Sequence, residues 1–155
     1  MEIRMAKPED ISGLIDLLLQ VGEVHHKIRP DLFRAGARKY DEKALTEILK
    51  DPNRPIFAAV EDGTLLGYCF CILEITRDNP VLMDQKSLYI DDLCVDENAR
   101  GKHVGARLYD FAMDYARKIG CDSLTLNVWC GNDSAMKFYE SRGLKQRNIH
   151  MEARL

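Results

Sequence analysis

A chain of 155 residues, 46% hydrophobic and 30% charged, is the size of one globular domain with a sizeable core, and residues 1–155 are read as a single domain. Its 22 Lys and Arg against 25 Asp and Glu leave a net charge of -3, which excludes the basic footprint that nucleic-acid binding leaves. No apolar run approaches the roughly 18 residues of a membrane span and Met1–Asp10 lacks the apolar stretch of a signal peptide, so a cytoplasmic protein with neither membrane nor nucleic-acid partner is expected.

In chain order, "EIRMA" (residues 2–6) alternates as a short strand. Pro8, Glu9 and Asp10 then open a helix, as first-turn residues do, with Ile11, Leu14, Ile15 and Leu18 as its buried stripe. Residues 24–40 are polar and interrupted by Pro30 and Gly36, which predicts a loop with partial helix. A short helix over 41–50 stops at "DPNRP", since the residue before proline is pushed out of the helical region. "IFAAV" runs into the turn Glu61-Asp62-Gly63-Thr64, and "LLGYCFCILEI" returns as a long strand with Gly67 a candidate bulge. Asn79-Pro80 breaks it.

From Ser87 the pattern sharpens into a βαβ unit. "SLYIDDLCV" reads as a strand, 104–119 as a helix and "SLTLNVW" as a second strand parallel to the first. Val104, Leu108, Phe111, Ala112, Tyr115 and Ile119 mark the helix face that covers the sheet. Gly120 ends it. A last helix over 133–142 stops at Gly143, and "NIHMEARL" is predicted as a closing strand. The five cysteines, Cys69, Cys71, Cys94, Cys121 and Cys130, are odd in number and form no C-x-x-C pairs, so they read as free buried thiols and not as metal ligands.

The stretch "ARGKHVGARL" (residues 99–108) lies between strand and helix. Such a junction offers free backbone N–H groups at the positive end of the helix dipole, an anion site suited to phosphate. Gly101 and Gly105 let backbone approach a ligand, and Arg100, Lys102 and His103 add positive charge. The same residues also suit a ligand-free turn with solvated cations. The patterns G-x-x-x-x-G-K-[ST] and G-x-G-x-x-G are both absent.

"LCVDENARGKHVGARLYDFA" resembles the acyl-CoA-binding motif R/Q-x-x-G-x-G/A of the GNAT superfamily of N-acetyltransferases. Arg100 and Gly105 fill its outer positions, and His103 stands where the family usually has its middle glycine. "LNVWCGNDSAMKFYESRGL" resembles the family's following strand and helix, N-x-x-A-x-x-x-Y-x-x-x-G-[FL], with Asn132, Ala135, Tyr139, Gly143 and Leu144 in place. The resemblance covers residues 87–144 well, the preceding hairpin loosely, and the N-terminal third in element order.

It implies an α/β fold: a GNAT-like mixed central β-sheet flanked by helices, with splayed parallel central strands between which acetyl-CoA slots. Backbone groups of Leu93, Cys94 and Val95 would meet the pantetheine arm. The amides of Gly101, Lys102, His103, Val104, Gly105 and Ala106, beside Arg100, would cradle the pyrophosphate. Asn132 would contact pantetheine, cap the last helix, or both. Tyr139 matches the family's acid for the departing thiolate, although Ala135 and Phe138 beside it also suit a core position.

Strand alternation places Tyr89, Asp91, Leu93 and Val95 on one face and Asp92 on the other. Family enzymes often keep an acid or histidine near this strand, so the resemblance makes Asp91 the favoured base, acting directly or through water, and Asp92 the second. Strand-end carboxylates also suit a solvated or capping role. Asn127 stands where some relatives carry a glutamate base. Tyr89 and His26, with His25 beside it, are the expected acceptor contacts. The implied activity is direct acetyl transfer from acetyl-CoA to a primary amine of a small cationic molecule, by an enzyme without a metal; the alternative is a non-catalytic acyl-CoA-binding or sensing module. Exposed ends of such mixed sheets lead to the expectation of a homodimer.

Overall fold

Strands form where branched and aromatic residues alternate or run together. In the computed structural model, which describes residues 1–155, these are β1 (Glu2–Met5), β2 (Ile56–Glu61), β3 (Thr64–Thr76), β4 (Gln85–Val95) and β5 (Ser123–Leu126). They make one sheet in chain order, antiparallel throughout except that β4 and β5 are parallel. The exception follows from connectivity. β4 reaches β5 through helix α3 (Val104–Lys118), a crossover that brings the chain back to the end where β4 began.

Helix α1 (Ile11–Ile28), entered through a tight turn at Pro8–Asp10, and helix α2 (Glu42–Ile48) cover one face. Their Leu14, Leu17, Leu18, Leu45 and Ile48 bury against Ile56, Tyr68, Phe70 and Cys94. On the other face α3 presents Val104, Leu108, Tyr109, Ala112 and Ala116 to Phe57, Cys69, Cys71, Leu88 and Ile90. Helix α4 (Asp133–Ser141) adds Phe138 and Tyr139 to the edge of that second cluster. Alternation along β3, with Tyr68 and Phe70 on one side and Cys69 and Cys71 on the other, thus feeds two separate cores. No helix is long and apolar enough to cross a membrane.

Two irregularities interrupt the ladders of the sheet. Ala59 pairs with Gly67 and Val60 with Leu65, so Leu66 is the extra residue and the bulge lies beside the predicted Gly67. Gly67 serves close approach instead: a Cβ there would lie 2.8 Å from the Cys94 carbonyl oxygen and 3.1 Å from Leu108 Cδ1. On β4, Phe70 pairs with Asp92 and Cys71 with Ile90, which leaves Asp91 as a second extra residue. The bulge overturns the expected alternation. Leu88 and Ile90 face α3 before it, Leu93 and Val95 face α3 after it, and Cys94 joins the α1 face. Asp92 turns to that face too, against Tyr68.

Three other expectations are corrected. β5 ends at Leu126 instead of 129, and residues 148–155 form no strand because nothing pairs with them. That tail is exposed and tied instead by ion pairs, Arg29 to Glu152 at 2.6 Å and Arg154 to Asp31 at 3.2 Å. The thiols of Cys69, Cys71 and Cys94 are buried, but Cys121 is half-buried and Cys130, in the turn after β5, is exposed.

Gly67→Ala should lower the unfolding free energy in urea by about 1–3 kcal/mol, the scale of overpacking against backbone and a filled core. An unchanged midpoint would show that the helix and sheet yield there at no cost.

Candidate active site

The parallel pair is short. Ser87–Ile90 pair with Ser123–Leu126, and β4 then continues to Val95 with no neighbour on that side. The sheet forks where the Asp91 bulge begins. The opposite edge of β4 stays in its ladder, where the Asp96 N–H donates to the Leu66 carbonyl at 2.9 Å. Counting back by twos from Asp96, antiparallel geometry turns the backbone groups of Val95 and Leu93 into the fork. Cys94, expected beside them, is directed elsewhere: its backbone faces β3 and its thiol lies 3.6 Å from the Leu17 carbonyl.

At the mouth of the fork α3 begins without a side-chain cap. The N–H groups of Gly101, Lys102, His103, Val104, Gly105 and Ala106 bond to nothing in the chain; the first helical bond runs from Arg107 N–H to the His103 carbonyl at 3.1 Å. Six adjacent free donors at the positive end of a 15-residue helix have the chemistry to hold an anion. Gly101 (φ 80°) and His103 (φ 58°) both adopt left-handed backbone, so His103 holds the conformation of the glycine usual at that motif position. Such a conformation costs a non-glycine residue about 1–2 kcal/mol. A Cβ on Gly105 would point at Val95 Cγ2 (3.4 Å), Leu93 Cδ2 (3.8 Å) and Phe138 Cζ (3.9 Å), which places residue 105 at the floor of the fork. Arg100, Lys102 and His103 are exposed beside it.

Asn132 caps α4, its Oδ1 accepting from Ala135 N–H at 3.3 Å and from the Ser134 hydroxyl at 3.1 Å. Its Nδ2 has no partner in the chain. Tyr139, seven residues on, packs against Phe138 and Tyr109 at ring separations of 5.0 and 6.2 Å. Its hydroxyl bonds to no other side chain, and since no sealed side-chain oxygen lacks a partner, it keeps an open surface. Burial, reinforced by the Cys69 thiol and the Asp92 charge, pushes this phenol well above its ordinary range. It is therefore a proton carrier at any physiological pH.

The bulge brings both carboxylates to the α1 side. Asp92 accepts from the hydroxyl of fully buried Tyr68 at 2.8 Å. Burial pushes Asp92 up to about 6, against the opposing pull of the Tyr68 hydrogen bond and the Lys39 charge. Asp91 accepts from Lys39 Nζ at 2.6 Å and from the Tyr40 hydroxyl at 2.9 Å, and Arg54 donates to that same hydroxyl at 2.9 Å. Burial first, then the bond to Asp91, pushes Tyr40 up to about 12.

The segment after α1 supplies these partners and is folded back on the helix. Gly36 N–H donates to Glu23 at 2.6 Å, and His26 Nδ1 lies 2.7 Å from the Phe33 carbonyl, so this nitrogen carries the proton. His26, predicted as an acceptor contact, fastens the segment. His25 stacks on Phe33, which meets Trp129 edge-on; both separations are 5.1 Å. Burial and then the Lys39 charge hold His25 below its ordinary range, hence neutral. Tyr89, the other predicted contact, accepts from Asn127 at 3.1 Å.

Sequence reading did not single out Lys39, Tyr40, Arg54 or Tyr68. Only Tyr68 carried a signal, a hydroxyl inside an apolar strand that has to find a partner. Nowhere do three or more His, Cys, Asp or Glu side chains converge as a metal site.

A forked parallel pair, six unbonded backbone donors at its mouth and a protonated phenol at its side suit an enzyme that binds a phosphate-bearing acyl carrier. Residues 22–144 match the acetyltransferase (GNAT) family, and the chain belongs to it: it is an acetyl-CoA-dependent N-acetyltransferase. It is 32% identical over 149 residues to the uncharacterized N-acetyltransferase YhfO of Bacillus subtilis, covering 94% of this chain and 91% of that one. It is 24% identical over 149 residues to thialysine N-epsilon-acetyltransferase of Bos taurus, covering 91% and 82%. The crystal structure of a mutant of the BH1408 protein from Bacillus halodurans superposes with a TM-score of 0.95 at 29% identity, covering 100% of this chain and 99% of that one.

Carboxyl NMR should show Asp92 titrating near pH 6, and Tyr68→Phe should move the midpoint higher by removing the hydroxyl that favours the charged form. Because its folded value is raised above the unfolded 3.8, stability linked to Asp92 is full below pH 3.8 and lost as pH rises through about 6. Asp92→Asn should cancel that slope. A midpoint in the ordinary carboxylate range would refute the buried environment.

Proposed function

We propose that residues 1–155 act as one cytoplasmic domain that transfers the acetyl group of acetyl-CoA directly to the primary amine of a small cationic molecule. The observation that carries this reading is the fork: β4 and β5 part at the Asp91 bulge, six unbonded backbone N–H groups stand at its mouth, and Asp92 lies beside it against the Tyr68 hydroxyl. Burial raises Asp92 to about 6, so it is ionised at neutral pH yet still basic enough to take a proton.

Acetyl-CoA, as substrate, supplies an activated acyl group and a thiolate that must be protonated on leaving. The six amides of residues 101–106 hold the pyrophosphate, with Arg100 and Lys102 adding screened attraction. Leu93 and Val95 offer strand-like hydrogen bonds to the pantetheine arm, and Asn132 Nδ2 offers one more. Asp91 orients the acceptor's ammonium. Asp92 takes its proton, directly or through a water, and Tyr139 gives one to the sulfur. Lys39 and Tyr40 already occupy both oxygens of Asp91, which supports Asp92 over Asp91 as the base.

Two adjacent carboxylates favour a cationic acceptor. The name of the bovine relative, an acetyltransferase of thialysine, agrees with a flexible amine. A sensing module without turnover would have no use for a raised Asp92 or an open Tyr139 hydroxyl.

Acetyl-CoA thiol release against a panel of amines tests the reading. Tyr139→Phe should lower the turnover rate by about 10²–10⁴-fold with CoA affinity unchanged, the scale of losing one positioned proton donor. Gly105→Asp should do the reverse, weakening CoA by putting a carboxylate at the cradle. CoA binding with no turnover on any amine would leave the sensing module as the answer.

We also propose that the molecule is a homodimer. The outer edge of β5 is unpaired, and Ile149 and Met151, two apart in the tail, are 77% and 85% exposed. Sedimentation at micromolar concentration should give twice the 17.7 kDa chain mass; a purely monomeric boundary would refute this.

A further inference from the structure

We propose that Lys39 occupies the place of the acceptor's ammonium, so that the acceptor is a primary amine on an unbranched aliphatic stem and must displace Lys39 to react. The inference rests on the acetyl-transfer reading and deepens it.

Three observations carry it. The first is position: Lys39 Nζ lies 2.6 Å from Asp91, the bulge residue at the point where the sheet forks. A primary alkylammonium is thus already lodged beside the base, with the face of the Tyr40 ring 5.5 Å away as its second wall. Carboxylate and aromatic face together suit an alkylammonium.

The second is asymmetry. The Asp91 side chain is 11% exposed and that of Lys39 47%. The carboxylate belongs to the protein's interior, while the ammonium comes from outside and half remains there. An ion pair open on its cationic side contributes little, and the segment does not depend on it, being held by Glu23 and His26 at its other contacts. Exchange of one ammonium for another therefore costs little.

The third is a neighbouring apolar surface. His25, held neutral and near enough to Lys39 to feel its charge, Phe33 and Trp129 form a continuous run of rings from α1 through the folded-back segment to the residues after β5. Trp129 is 41% exposed. An aliphatic stem lies along such rings at no electrostatic cost.

The test compares parent, Lys39→Met and Asp91→Asn, each saturated with CoA, for calorimetric binding of 1,5-diaminopentane. Lys39→Met should bind the probe about two- to fivefold more tightly, the range of a half-exposed ion pair removed as competitor. Asp91→Asn should lose most of the affinity. tert-Butylamine, of equal charge on a branched carbon, should bind the parent more weakly than the diamine. In turnover, Lys39→Met should lower KM by a similar factor with kcat little changed.

Equal or weaker probe binding by Lys39→Met overturns the inference. So does a raised KM, which would make Lys39 a contact of the acceptor instead of its competitor. tert-Butylamine binding as tightly as the diamine overturns the unbranched stem. Failure of every amine to release thiol defeats the acetyl-transfer reading itself, and the binding comparison still decides whether Lys39 and an alkylammonium share one place.

Discussion

One extra residue in β4 governs the rest of the molecule. With Asp91 unpaired against β3, the strand turns about its own axis at the point where its pairing with β5 stops. Bulges increase local twist, and a strand that twists away from a parallel neighbour cannot keep its ladder with it. Backbone groups that a continuous sheet would consume are left open over Leu93 and Val95. The same residue brings two consecutive carboxylates to one face, which regular pleating forbids.

The fork supplies one half of a binding cleft and the start of α3 the other. Six backbone donors without acceptors are tolerated there because residues 101–103 are exposed and 105–106 half-buried, so water reaches most of them. Their arrangement requires left-handed backbone at residues 101 and 103. Glycine meets that demand at the first position. His103 meets it at a conformational cost, which the buried anchor that follows, Val104, helps to offset.

Electrostatics then divide the work between neighbours that look identical in the sequence. Asp92 lies against the buried Tyr68 and is raised by burial to about 6. Asp91, one residue earlier, is compensated by Lys39 and Tyr40 from a segment more than fifty positions away. Two carboxylates with different surroundings can take different roles at one pH. The tail behaves in an analogous way, its charged ends paired to Asp31 and Arg29 while its apolar residues stay uncovered.

What the sequence determined by itself is what depends on local spacing. The βαβ unit, the helix face from Val104 to Tyr115, the glycine-bearing helix start and the Asn132-to-Tyr139 helix were all legible, because 3.6-residue periodicity, turn chemistry and a motif on one helix need no distant partner. Tertiary structure alone decided the rest. Alternation put Asp92 on the face opposite Asp91, and only pairing with β3 shows that a residue is extra. Residues 148–155 carry a strand's composition, but a strand exists only where an edge receives it. The bond from His26 Nδ1 to the Phe33 carbonyl exists only once the segment folds back on α1. Lys39 carried no signal at all, since its importance comes from the Asp91 that the fold brings to it, and a long-range ion pair leaves no period in a sequence.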